Sequence, residues 1–520
     1  MRLSLRLGGV ALALCLLGGA ARAEIELPDV FADHMVVQRD EPVPVWGRAR
    51  AGARLRVELA GHVAQAMADD TGRWTVILPA LAAGGPHQLR VSGDGERVLE
   101  NVMAGDVWLC SGQSNMNFRM APNPPWSEGV LDHEREIAAS KAPGLRIFEV
   151  IVDADHRPRE DAHGRWSVSD PDVVRHVSAV AYYFGRRLHE AEGVPIGVIV
   201  AARGATGIRS WMSREALERF PALRPTLATE DRKIAQSADA LAEAEARLSA
   251  YRETYLRALA THGKIPSLPE AYQNYQYKPA RLYNAMVAPL ARTPVRGFVW
   301  YQGEGDSRTA EQYGEWFRAL IGSWREAWHR PGAPFLFVQL AGYDPVRARG
   351  LDPAEVGLSW AELRAAQASV LDLPGTAMAV AADVGDPMNI HPRDKRTVGE
   401  RLARAALAVS YGRAVAHRGP ELASVERDGE ALRLLFTPEA GAELRFKGDA
   451  RALTGFELAG ADGVYLPAVA MAAPDGVRVY REGLARPVSV RYGWANAPEL
   501  SLHDTNGLPV APFVRDLDQR

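Results

Sequence analysis

Two segments of the chain hold residue types that together can cleave an acyl bond. In the first, Val107-Trp-Leu-Cys-Ser-Gly-Gln-Ser-Asn-Met116, an apolar run ends in small and amide-bearing residues around Ser114. Gly112 permits a tight backbone path off a strand end, which lifts the next hydroxyl clear, and the N–H groups after the strand can face a developing oxyanion. A serine hydroxyl is a weak nucleophile until a base takes its proton. The second segment, Asp383-Val-Gly-Asp-Pro-Met-Asn-Ile-His-Pro-Arg-Asp-Lys395, supplies that base as His391, in a loop between an apolar strand and an amphipathic helix.

The elements that must hold these groups are legible as alternation. Apolar strand-like runs at 106–110, 145–150, 195–202, 295–301, 334–340 and 377–382 are separated by helical patterns at 174–190, 310–328, 360–371 and 397–410. Such alternation predicts a parallel sheet covered by helices, with residues 101–412 as its domain. Both candidate segments then lie just past strand C-terminal ends, where open α/β sheets gather their chemistry. Residues 24–100 carry short alternating runs divided by Gly, Asp and Pro, with a turn signal at Asp69-Asp70-Thr71-Gly72, and predict a small β domain. Residues 413–520 return to β signals and predict a second one, packed on the first or completing its own sandwich. Between about 213 and 280 lies a helical insertion: 233–260 is rich in Ala, Glu and Leu, and Tyr272, Tyr275 and Tyr277 follow. Its two readings are a solvated surface helix and a sugar-binding rim.

Composition narrows the partners. With 520 residues, 47% hydrophobic content and a net charge of -3, the chain reads as an ordinary soluble enzyme with no electrostatic case for nucleic acid or an anionic membrane. Arg2 and Arg6, a short apolar run and Ala21-Arg22-Ala23 predict a signal peptide over 1–23 and export to the periplasm or beyond. The run is too short for a membrane anchor, which needs ~20 apolar residues. Cys110 is then alone in the mature chain and reads as a buried core thiol. No spacing suggests a metal or a cofactor.

Four blocks carry a resemblance: Gly112-Gln113-Ser114-Asn115-Met116, Gly204-Ala205-Thr206 with Trp211, Trp300-Tyr301-Gln302-Gly303-Glu304, and Ile390-His391-Pro392 with Lys395. In this order the chain resembles the sialate O-acetylesterase-like branch of the SGNH hydrolases, carbohydrate esterases that remove acetyl groups from sugar hydroxyls. The resemblance implies a flavodoxin-like parallel sheet with helices on both faces, flanked by N- and C-terminal β domains. It implies Ser114 as nucleophile, His391 as base, and an oxyanion hole made by the N–H groups of Ser114 and Gly204 with the Gln302 side-chain amide.

At the third triad position the pattern departs. The family commonly has an aspartate two or three residues before the histidine, where this chain has Asn389 and Met388. A Ser-His dyad is expected, with Asp386 as a candidate acid and Asp383 behind it. Arg203 and Arg209 flank the second block and are expected to meet a substrate carboxylate, and Trp211 and Tyr301 a sugar ring. The expected substrate is an acetylated sialic acid. Acetylated xylan or xyloglucan is the neutral alternative, and a carbohydrate-binding protein with impaired catalysis is the alternative of another class.

Overall fold

The structure, a computed structural model, describes residues 25–517 apart from 126, 237, 262–265, 268–275, 440 and 475, and not the side chains of 238–246 and 260. The expected signal peptide, Tyr272 and Tyr275 lie outside the described residues. The N-terminal strands are β1 (Val36–Gln38), β2 (Val43–Arg48), β3 (Arg54–Leu59), β4 (His62–Met67), β5 (Arg73–Leu78) and β6 (Gly84–Ser92). They lead into the long strand β7 (Glu96–Gly112), followed by β8 (Ala142–Val150), β9 (Gly164–Ser169), β10 (Ile196–Ala202), β11 (Gly297–Tyr301), β12 (Phe335–Gln339) and β13 (Thr376–Val380).

β7 joins the two regions. Its first half pairs with β1 and β6, and its second half pairs in parallel with β10 and β11, ending with Gly112 opposite Ala202 and Tyr301. The expected domain boundary near residue 100 therefore falls inside a strand. Residues 104–112 of β7 are buried without a break, as a parallel strand covered on both faces requires. Gly105 marks a close approach, because a Cβ there would stand 2.1 Å from the Pro195 carbonyl oxygen.

The central order is β13-β12-β11-β7-β10-β8-β9, with β9 antiparallel at the edge. Taken in chain order, the parallel strands β7, β10, β11, β12 and β13 stand as 2-1-3-4-5, the order of the flavodoxin-like expectation, and β8 with the antiparallel β9 extends the edge beyond β10. The helices do cover both faces. Trp108 is in register with Gly297, so Trp108 and Phe298 point to opposite sides of the sheet. Trp108 packs edge-on at 5.2 Å against Phe184 of the Ala179–Glu192 helix, and Phe298 at 5.6 Å against Trp324 of the Ala310–Ala327 helix. The Lys395–Val409 helix lies against the Ala179–Glu192 helix through Gly399, where a Cβ would meet the Tyr183 Cβ at 2.6 Å. Glycine thus permits the close approach of the two helices, and Asp394 caps the start of the second by accepting the Thr397 N–H. Trp108, Trp300 and Trp324 are fully buried. Each removes roughly 150–250 Å² from water, or roughly 4–6 kcal/mol of transfer free energy at ~25 cal/mol/Å².

The insertion contains helices Arg224–Gln236 and Ala238–Ala260. The second is docked on the body, not solvated all round: Leu248, Tyr251, Arg252 and Tyr255 are buried at helical spacing. The C-terminal region forms antiparallel sheets between Glu421 and Asp516. It docks on the central domain, where Asn496 bonds Tyr343, Trp360 and Arg364 and the Gly507 carbonyl accepts from Arg401. Among the described residues no helix is long and apolar enough to cross a membrane.

Candidate active site

Ser114 stands in the first turn after β7, partly exposed, and the local sequence forces it there. Gly112 has φ +141°, and a Cβ on it would lie 2.1 Å from the Tyr301 carbonyl oxygen, so only glycine lets the chain leave the strand here. The Gln113 N–H donates to that same carbonyl at 3.0 Å, and the Asn117 N–H closes a turn onto the Gln113 carbonyl at 2.9 Å. Gly204 faces the serine from the end of β10, its Cβ position 3.4 Å from the Ser114 Cβ. The backbone N–H groups of Ser114 and Gly204 donate to nothing among the described residues. Two free donors thus flank one hydroxyl.

The Gly204 loop is held from below. Ala205 sits at φ +60°, a strained value for a residue with a side chain. The Thr206 hydroxyl donates to the Arg203 carbonyl at 2.8 Å and accepts from the Trp211 indole at 3.0 Å. Trp211 is fully buried, so its work is to brace this loop and not to meet a sugar. Tyr301 is likewise fully buried. Both correct the expected substrate contacts, and the reason is shared: each ring lies in the packed interior, with no face left toward solvent. Arg209 stacks over Trp316 at 5.1 Å and faces Asp306, again as a brace.

Gln302 is also placed differently from the expectation. Its side chain is fully buried, and Nε2 points at Asp306 Oδ2 (2.6 Å), the Thr206 carbonyl (3.0 Å) and Gln113 Oε1 (3.1 Å). Two amide hydrogens already face three acceptors, so none remains for a substrate oxygen. Its Oε1 accepts from the Tyr313 hydroxyl at 2.9 Å. Gln302 clamps the loops that carry Ser114 and Gly204.

His391 is half-buried beside Phe118, ring centroids 6.5 Å apart, and its ring nitrogens bond no protein group among the described residues. Burial, with a smaller push from Lys395, pulls its pKa down to about 4, so the ring is neutral and able to accept a proton at neutral pH. No acid reaches it. Asp386 accepts the Met388 N–H at 2.8 Å within its own turn, and Asp383 is taken by Arg401 through bonds of 2.6 and 2.8 Å. Asn389 Oδ1 accepts the His391 backbone N–H at 2.9 Å, which fixes the loop but not the ring. The expected acid role of Asp386 is therefore not met by this geometry.

Three residues lie beneath the site: sequence reading gave no role to Asn115 and Lys395, and read Glu304 as a brace for its loop. Asn115 donates to Glu304 Oε1 and to the Ile390 carbonyl (3.0 Å), and accepts from Lys395 Nζ at 2.5 Å. All three stand inside the motif blocks, which was the available signal. At the rim, Arg203 donates through Nε to the buried Gln276 at 2.6 Å, and its two terminal nitrogens have no partner among the described residues. Arg119 faces Glu149, whose carboxyl burial pushes up to about 7, and both act on the hydroxyl of the buried Tyr255. Elsewhere, Asp29, Asp161 and His163 bring possible cation ligands within 4.8 Å of one another, although two of their carboxylate oxygens already accept backbone N–H groups.

Known proteins share this arrangement's sequence. The family described as carbohydrate esterase, sialic acid-specific acetylesterase matches residues 104–230 and 269–408, leaving the middle of the helical insertion outside. The rat sialate O-acetylesterase is 30% identical over 454 residues, covering 79% of this chain and 78% of its own; the mouse protein is 26% identical, covering 94% of each. The crystal structure of a carbohydrate acetylesterase from Xanthomonas citri superposes with a TM-score of 0.78 at 35% identity, covering 95% of this chain and all of that one. With the matched segments spanning the Ser114, Gly204, Gln302 and His391 blocks alike, the chain belongs to the sialic acid-specific acetylesterase family of carbohydrate esterases, and is a carboxylic ester hydrolase.

Proposed function

We propose that the chain removes O-acetyl groups from sialic acids through a Ser114–His391 dyad. The observation that carries this reading is the pairing of Ser114 with Gly204, two free N–H donors on either side of one hydroxyl. His391, neutral at working pH, takes the Ser114 proton as the oxygen adds to the acetyl carbonyl. The N–H groups of Ser114 and Gly204 hold the resulting oxyanion, which replaces the function expected of Gln302. His391 then gives its proton to the departing sugar oxygen, leaving acetyl-Ser114. Water repeats the sequence with His391 as base and releases acetate.

Arg203 supports an anionic sugar over a neutral one. Its Nε is anchored on a buried amide, which leaves the end of the guanidinium as a pre-set fork for a carboxylate beside Gly204. The rat and mouse relatives bear the name of the same activity. The signal-like residues 1–23 support export. The test is acetate release from acetylated sialic acids and acetylated xylo-oligosaccharides by the purified chain, with Arg203→Met in parallel. Preference for the sialic esters, lost in Arg203→Met through KM, is expected. Equal turnover of both panels by both proteins rejects the sialic acid assignment, and no release from either favours a binding protein.

A further inference from the structure

A fully buried ammonium lies directly under the nucleophile turn. Lys395 opens the Lys395–Val409 helix, and its Nζ donates to Asn115 Oδ1 at 2.5 Å while sitting over the rings of Phe118 (4.7 Å) and Tyr301 (5.7 Å). An asparagine amide has two ends. With the oxygen end held by an ammonium, which has no acceptor to offer, the nitrogen end must point the other way. It does so, and its two hydrogens go to Glu304 and to the Ile390 carbonyl. The residue after Ser114 is thereby tied to the residue before His391. Glu304 is itself buried, its Oε2 without a hydrogen-bond partner among the described residues, and its carboxylate is favoured by Asn115, by Lys395 and by the nearby backbone N–H groups of Gly303 and Glu304.

We propose that Lys395 is a positioning residue for the esterase reaction: by fixing the orientation of the Asn115 amide it sets the spacing between the Ser114 turn and the His391 loop. This rests on the reading of Ser114 and His391 as nucleophile and base. The charged groups facing the ammonium are Glu304 from the turn after β11, Asp394 from its own helix cap and His391 from the base loop. Burial pulls Lys395 down to about 7 against the opposing pull of Glu304 and Asp394. The same positive charge helps to keep His391 unprotonated. Two signatures follow. As Lys395 loses its proton the lock weakens, giving activity an alkaline limb near 7. With the lysine absent, the limb set by His391 moves upward.

The experiment measures kcat and KM for a neutral aryl acetate across pH in wild type, Lys395→Met, Glu304→Gln and Ser114→Ala, with thermal melts for each. Lys395→Met is expected to lower kcat by on the order of tenfold with KM little changed, to lose the alkaline limb, and to raise the acid limb toward the ordinary histidine value of 6.5. Glu304→Gln removes the charge that supports the ammonium and is expected to move the alkaline limb to lower pH. If Lys395→Met does not fold, the limb position in Glu304→Gln decides alone. Limbs unmoved in the folded variants overturn the positioning role, even where Ser114→Ala is inactive. Turnover retained in Ser114→Ala instead overturns the underlying dyad.

Discussion

The Asn115 side-chain amide donates to the Ile390 carbonyl at 3.0 Å, a bond between residues 275 apart in the chain. Each belongs to a different loop at the C-terminal edge of the sheet, and each is the immediate neighbour of a group with chemistry to do. The turn of the proposed nucleophile and the loop of the proposed base are thus tied through an amide contact one residue removed from each. In the proposed dyad this contact, and not an aspartate, holds the histidine's loop against the serine's turn.

Removing either reacting group has a defined consequence. Ser114→Ala and His391→Ala are each expected to cut kcat on an aryl acetate by on the order of 10⁴–10⁶, since the two act as one unit. Ser114 is partly exposed and its side chain makes no hydrogen bond among the described residues, so its variant should melt at the wild-type temperature. Steady-state rates beside a melting curve decide this, and a folded Ser114→Ala with appreciable turnover removes serine chemistry from consideration.

The pH profile should be displaced toward acid. A histidine base is active when unprotonated, and burial holds His391 down to about 4. The acid limb of wild-type kcat/KM is therefore expected near 4, well below the ordinary histidine value of 6.5. A half-maximal point near the ordinary value of 6.5 would mean that the ring is more open to water than its packing beside Phe118 implies.

The central strands were legible because a parallel strand buried on both faces is a continuous apolar run, as in Phe298-Val299-Trp300-Tyr301. That same property misleads about function. A strand with no solvent face cannot present Tyr301 to a substrate, however close it stands to the motif glutamine. The β8–β10 pairing was not legible, since apolar runs alone do not state which neighbour a strand takes. Nor was the continuity of β7, because the change from short β runs to strand–helix alternation near residue 100 reads as a domain boundary. Ser114, Gly204 and His391 were legible as reactive types at strand ends. Their alignment by Asn115, Lys395 and Glu304 depends on contacts across 189 to 280 residues, which local pattern does not encode.

Gln302 separates a donor to substrate from a clamp. As a clamp, Gln302→Ala leaves Asp306, the Tyr313 hydroxyl and the Thr206 carbonyl short of partners in the interior. Unmade buried bonds of this kind cost about 1–3 kcal/mol each before relaxation. The variant should lose several degrees in Tm, and any fall in turnover should track the loss of folded protein. A drop of ~10²–10³ in kcat at unchanged Tm is instead the behaviour of an oxyanion donor.

Asp386 and Asp383 carry the same charge on one loop, yet their partners predict opposite phenotypes. Asp386 caps the Met388 N–H, a bond that an asparagine oxygen accepts equally well. Asp386→Asn should then leave both kcat and Tm close to wild type. Asp383 neutralises Arg401, whose side chain is only 8% exposed and which the carboxylate meets with both oxygens. Asp383→Asn strands that charge, and stability should fall by about 1–3 kcal/mol, reduced from the fully buried case because Asp383 is 22% exposed. Catalysis by the remaining folded protein should persist, since neither carboxylate touches the His391 ring. An engaged triad acid behaves otherwise, its loss costing on the order of 10⁴ in kcat. Should Asp386→Asn reach that magnitude at unchanged Tm, the loop must rearrange on binding substrate to bring Asp386 onto His391, and the dyad gives way to a triad assembled only in the complex.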